Sequence, residues 1–315
     1  MKRALIIISY LLLSLVGIGI LASAVMLTAN SAYAHPVNDG TPINETRSAK
    51  ANGSVAISNV AGSVKVQGWN KNEIHVGGML GRGTERLDIT TSGDGYSIRV
   101  ILPRDSDDNV EGSDLVINVP IASRLSVNTV SAGIDADALN GTAQLVSVSG
   151  NVTLKSNDSD ISARSVSGAV NILGSTNDAY VRAHSVSGDV KIDGVGGDLQ
   201  AESVSGTAKV IQSRLSRAQL SSTSGNVDFT GALQKNGSYS FNSISGNLTL
   251  VLLVTPDARF DISSFSGDIN NAFGPKAQRT SEYYAPGEEL HFVSGSGSAQ
   301  VNARTLSGNI SLRTP

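Results

Sequence analysis

Arg164, His184 and Glu202 are the side chains here whose types could do chemistry together. A guanidinium grips carboxylates, an imidazole exchanges protons near neutral pH, and a carboxylate serves as acid or base. They stand 20 and 18 residues apart, so they meet only if the chain keeps returning to the same place. Other chemistry is thinly represented. His35, His75, His184 and His291 lack metal-ligand spacing, so no metal and no cofactor is expected. Cysteine is absent, which removes disulfides, thiolate ligands, a cysteine nucleophile and a cysteine-borne lipid anchor. Lys plus Arg number 24 against 27 Asp plus Glu, for a net charge of −3, so no nucleic-acid partner is expected. Gly-Ser-Gly-Ser at 295–298 lacks the strand–turn–helix context of a phosphate loop or a nucleophile elbow.

The chain does return. Ser-Val-Ser-Gly stands at 147–150, 165–168, 185–188 and 203–206, with variants at 222–225, 243–246, 264–267 and 305–308. An earlier copy at 129–132 carries Ala132 in the glycine place. The repeated pairs are Ser149 and Gly150, Ser167 and Gly168, Ser187 and Gly188, Ser205 and Gly206, Ser224 and Gly225, Ser245 and Gly246, Ser266 and Gly267, and Ser307 and Gly308. Successive units begin 18–21 residues apart until the last, which follows after about two periods and implies one degenerate coil around 270–300. With flanks, the unit reads Φ-x-Φ-x-[ST]-Φ-S-G-x-Φ-x-Φ, where Φ is apolar. Alternation means a strand with one buried face, and the phase slip between [ST] and the next Φ marks a corner. The hydroxyl residue fits inside that corner, and the glycine allows close backbone approach.

A unit this short cannot bury its apolar face alone and must stack on its neighbours. The expected fold is all-β: a parallel β-solenoid of 18–21 residues per coil and roughly 10–12 coils, a rod roughly 50–60 Å long. An antiparallel sandwich is the competing reading, but it does not require the same inward residue type in every unit. In a solenoid, Arg164, His184 and Glu202 become neighbours in a surface column, either as a small polar site or as a solvated face with weak ion pairs. A second column, Asp135, Thr153, Asn171, Lys191, Lys209, Asp228 and Thr249, reads as a solvated face. It lacks the dense carboxylates that a polysaccharide lyase would need.

At the start, Lys2 and Arg3 precede an apolar stretch from Ala4 to about Leu27, and Ala32-Tyr33-Ala34 has the pattern of a signal-peptidase site. Residues 1–34 are read as a signal peptide cleaved after Ala34, and 35–50 as a flexible linker. If uncleaved, the stretch is long enough to anchor in a bilayer, the only membrane contact expected. Either way the rest is exported, to periplasm, cell surface or medium. Residues 51–315 form the solenoid: a less regular part at 51–120, then the repeats, with an inserted loop at 270–290. Tyr283 and Tyr284 in that loop are candidate contact residues, since exposed loop aromatics are enriched at binding sites.

Val55-x-Ile57, Gly62-x-Val64-x-Val66-x-Gly68-Trp69-Asn70, then Leu115-x-Ile117-x-Val119-Pro120, then serial Ser-x-Ser-Gly-x-Φ-x-Φ units, run in that order to the C-terminus. This order resembles the bacterial putative-adhesin family of β-strand-repeat proteins, a group carried as a domain of unknown function. The resemblance covers about residues 51–315. It implies an exported envelope β-solenoid and offers no catalytic residues. The expected function is non-enzymatic binding or scaffolding by a monomer, with an unidentified envelope protein or glycan as partner. A polysaccharide-acting enzyme and a periplasmic partner in envelope-stress regulation are the alternatives.

Overall fold

The structure is a computed structural model and describes residues 40–103, 110–156, 159–174, 178–280 and 287–315. The N-terminal region holds β1 (Thr41–Ser48), β2 (Ser54–Asn59), β3 (Gly62–Trp69), β4 (Glu73–Leu80), β5 (Arg86–Ser92), β6 (Gly95–Ile101) and β7 (Ser113–Pro120). The repeats supply β8 (Arg124–Thr129), β9 (Gly133–Leu139), β10 (Ala143–Ser147), β11 (Val152–Ser156), β12 (Ile161–Ser165), β13 (Val170–Gly174) and β14 (Asp178–Ser185). They continue with β15 (Val190–Asp193), β16 (Gly196–Ser203), β17 (Ala208–Ser222), β18 (Val227–Gly231), β19 (Ser238–Ser243) and β20 (Leu248–Leu252). Last come β21 (Ala258–Ser264), β22 (Ile269–Asn271), β23 (Gln278–Arg279), β24 (Glu288–Ser294), β25 (Ala299–Thr305) and β26 (Ile310–Arg313). The fold is an all-β parallel solenoid, with one strand of each coil in sheet A and one in sheet B. Inward side chains such as Val152, Leu154, Ile172, Val190, Leu220 and Phe241 fill the space between the sheets.

The corner explains the repeat. In each unit the [ST] residue points inward: Ser147, Ser165, Ser185, Ser203, Ser222, Ser243, Ser264 and Thr305 are all buried. Ser165 Oγ donates to the Gly150 carbonyl of the preceding coil at 2.9 Å and accepts from Gly168 N at 2.9 Å. Ser185 does the same with Gly168 and Gly188. One hydroxyl thus satisfies two backbone groups that the turn would leave unpaired in the interior. The apolar residue that follows faces out: Val130, Val148 and Leu306 are exposed, and Val186 is only half-buried. The phase slip therefore separates an inward serine from an outward apolar residue, and not two inward sets. Phe265 is 60% exposed at its corner. The glycines are required by contact rather than by dihedral. A Cβ on Gly168 or Gly188 would strike the carbonyl oxygen of the glycine one coil before, and neither has a positive φ.

From β8 to β20 the coils stack in chain order. β17 serves twice, leaving sheet A and entering sheet B. The ends break the order. β2 pairs with β8 on one side and β6 on the other, and β3 lies between β9 and β7, so the β6/β7 coil sits outside the earlier β2/β3 coil. At the other end β25 lies between β19 and β21, and β26 between β20 and β22. The last coil in sequence is therefore inserted inside the one before it. Among the described residues of 270–300 no degenerate coil forms. Instead β24 runs antiparallel on β21, with β23 antiparallel on β24. Phe292 stacks on Phe260 at 4.6 Å between ring centroids, and Phe273 packs edge-on to Phe260, so these rings close the core. The crossover 295–298 from β24 to β25 is held by Asp257, which accepts from Ser296 Oγ at 3.0 Å and from Gly297 N at 2.8 Å. Gly295 and Gly297 take φ of 67° and 74° there, a region open to glycine.

Residues 41–48, read as linker, form β1, an antiparallel edge strand on β4. Its residues are nearly all exposed, so backbone pairing rather than burial makes it a strand. The described residues of 270–290 include the end of β22, all of β23 and the start of β24, whose Leu290 is buried.

Candidate functional site

Strand register sets the outer face of sheet B. Arg164 in β12 lies opposite His184 in β14, which lies opposite Glu202 in β16. The predicted column is thus real up to Asn242, after which Arg304 precedes Ser263 because β25 is inserted before β21. His184 Nδ1 stands 3.6 Å from a Glu202 oxygen, longer than an ordinary hydrogen bond. Gln200 Nε2 donates to Glu202 at 2.7 Å. The His184 ring, then the Gln200 amide, hold the Glu202 carboxyl below the usual carboxylate range, against the cost of its partial burial. Arg164 is exposed and has no hydrogen-bond or ion-pair partner among the described residues.

The network extends to residues that the sequence reading passed over. Arg182 Nε donates to Gln200 Oε1 at 3.1 Å, and its terminal nitrogen donates to the Tyr180 hydroxyl at 2.8 Å. The guanidinium lies 5.6 Å from the Tyr180 ring centroid. Arg182 and Gln200 occupy the earlier x of the unit, two residues before the column that was searched. That row, Ser126, Gln144, Ser162, Arg182, Gln200 and Gln219, shares the outward parity. It was open to the same reasoning.

Tyr180 and Arg182 also form one end of a groove of about 420 Å³ that crosses β2, β8, β10, β12 and β14. Four strand spacings make it about 19 Å long. Short side chains floor it, Ala56, Ser126 and Ser162, with Gln144 between them. Arg124 flanks the other end, paired with Asp94 at 2.5 Å. Asp160 accepts the Tyr180 N–H at 2.9 Å. The groove's volume falls in the range of ligand pockets, and its walls are rigid strands.

Tyr283 and Tyr284 lie outside the described residues. The serines before the column glycines, Ser131 to Ser307, are exposed in a row along the corner. The second column, Asp135 to Thr249, is in register on sheet A. Among the described residues no three His, Asp or Glu side chains are grouped to hold a metal ion.

No curated protein matches the sequence. Among solved structures, a putative cell adhesion protein from Clostridium sporogenes ATCC 15579 is 11% identical, with a TM-score of 0.20, over 87% of this chain and 100% of that one. A likeness that loose carries no argument about this chain. The sequence matches the family described as Toastrack DUF4097 over residues 39–313, and since that is nearly the whole chain, the protein belongs to the Toastrack DUF4097 family.

Proposed function

We propose that the protein is an exported, non-enzymatic β-solenoid that binds or scaffolds at the bacterial cell envelope, in periplasm, at the surface or in the medium, through the outer face of sheet B. The observation that carries this reading is the groove, continuous with a hydrogen-bonded network through Tyr180, Arg182, Gln200 and Glu202. Its polar groups sit on strands whose positions are locked by the coils on either side, so binding requires little reordering. Export rests on the Ala32-Tyr33-Ala34 pattern. An enzyme here would need a nucleophile or a second carboxylate beside His184. Its neighbours in the column are Arg164 and Glu202, and Ser221 lies beyond Glu202.

The test is capture from envelope extract with the intact protein as bait, beside an Arg182→Ala, Gln200→Ala variant and a Tyr283→Ala, Tyr284→Ala variant. Recovery of one protein or glycan, lost in the first variant and kept in the second, supports a sheet B binding face. Loss in the second variant alone moves the site to Tyr283 and Tyr284. Empty capture by every bait removes the binding reading.

A further inference from the structure

We propose that the sheet B groove takes an extended acidic glycan, a chain of hydroxyl-bearing rings with carboxylates, whose charge is read by Arg182 and Arg164. This rests on the binding-module reading above and names its ligand class. The groove crosses five strands along the stacking direction and suits a linear polymer more than a compact ligand. Along it stand Thr142, Gln144 and Ser162, whose side chains have no hydrogen-bond partner among the described residues. These are donors and acceptors of the kind that sugar hydroxyls use. At the end, Tyr180 is 42% exposed, and its hydroxyl is tied to Arg182 and Gln200. A ring fixed in this way offers a sugar an apolar face at low entropic cost.

Charge selects the acidic class. On this face Arg124 is spent on Asp94, Arg217 on Asp198 at 2.9 Å, and Arg304 on Asp261 at 3.6 Å. Arg182 is hydrogen-bonded only to the neutral Gln200 and Tyr180, with the Glu202 carboxylate in electrostatic reach, and Arg164 has no partner among the described residues. They lie on adjacent strands, two residues apart in register, within reach of one or two successive sugar units. Arg182 is already oriented through its Nε and one terminal nitrogen, which leaves further N–H donors in the planar fork that matches a carboxylate. Asp160, the carboxylate lining this end, is engaged with the Tyr180 N–H.

The experiment is titration calorimetry on the full chain with tetragalacturonate, neutral cellotetraose and a tetraglutamate peptide, at low and at high salt. Tetragalacturonate should bind with an affinity that falls as salt rises, and cellotetraose at least about tenfold more weakly, since a charged hydrogen bond is lost. Arg182→Ala should weaken tetragalacturonate binding about tenfold or more, Arg164→Ala several-fold, and Gln219→Ala, in the same row but outside the groove, not at all. Arg182→Lys keeps the charge without the fork and should fall between, which preserves the test if the alanine variant folds poorly. Equal binding of the neutral sugar, preference for the peptide, or no response to both Arg182 variants overturns the assignment. If it fails while envelope capture still depends on sheet B, the binding module stands and only the ligand class is wrong. If capture fails as well, both fall.

Discussion

The middle of the solenoid and its two ends are built from the same unit but assembled by different rules. From β8 to β20 each coil packs on the coil before it in sequence, so the chain's order is also its order in space. At both ends the order is exchanged. β6/β7 lies outside β2/β3, and β25/β26 lies inside β21/β22. Yet the inserted coil keeps the bonds that join one corner to the next. Thr305 Oγ1 donates to the Gly246 carbonyl at 3.2 Å, and Ser264 Oγ to Gly308 at 2.9 Å. Asn309 likewise accepts from Asp268 N at 3.0 Å and donates its own N–H to Asn247 at 2.9 Å. Because every contact is with a nearest neighbour, a unit fits any slot in the stack. The motif specifies how coils meet, while the connections and the antiparallel caps decide which coils meet.

Deletion separates the two regions most sharply. Removing residues 150–167 joins Ser149 to Gly168 and takes one whole coil from the middle. The expected product is a shorter solenoid that melts cooperatively at a lower temperature. Removing 299–315 takes a similar length from the chain end but empties an interior slot, and leaves β21, β22 and the Phe260–Phe292 cap without a base. Loss of cooperative melting by circular dichroism, with dye binding to exposed apolar surface, is expected. If the end deletion proves the milder of the two, the inserted order is wrong.

Within one coil, Val190→Asp places an unpaired carboxylate at a fully buried position and should cost more than about 3 kcal/mol in denaturant unfolding. Val186→Asp, four residues earlier at the corner, should cost about 1 kcal/mol or less, since that side chain is half in solvent. Similar losses for both would place Val186 in the core. Gly168→Ala should cost about 1–3 kcal/mol, because the new methyl meets a backbone carbonyl that cannot move without shifting the neighbouring coil. Gly133→Ala, where a Cβ would meet only the Asn151 carbonyl oxygen at 3.9 Å, should be nearly neutral in the same assay. The smallest effect belongs to the face of sheet B. Glu202 has a folded-state pKa lowered from 4.5, so its interactions add stability above that value, and this is lost as pH falls through the lower folded pKa. Glu202→Gln should therefore narrow the stability difference between neutral and acid pH. An unchanged acid limb would mean that the His184 contact does not form in solution.

How much of this the sequence disclosed follows from where the information sits. The corner was legible because its serine and glycine are local requirements, one hydroxyl for two backbone groups and no room for a Cβ. The Arg164–His184–Glu202 column was legible because a constant period fixes register. Arg182 and Gln200 were equally accessible through the other outward row, but became notable only beside the groove, which depends on the short side chains of three other strands. β1 was hidden because Thr41–Ser48 buries almost nothing and owes its form to the waiting edge of β4. The exchanged ends could not be read at all, since one strand edge offers the same hydrogen bonds to a coil that is next in sequence as to one that arrives later.

That late arrival has a consequence in time. A chain made from its N-terminus completes β21 and β22 before β25 and β26 exist, and the interval, at ordinary synthesis rates, is on the order of seconds. During it the place beside β19 and β20 stays vacant, and the preceding coil has nowhere final to dock. Every prematurely terminated copy would carry that open edge as a mark of incompleteness, legible to any protease or chaperone that recognises unpaired strands. β25 and β26 act as the keystone, set into the arch only when the coils on both sides of it are already standing.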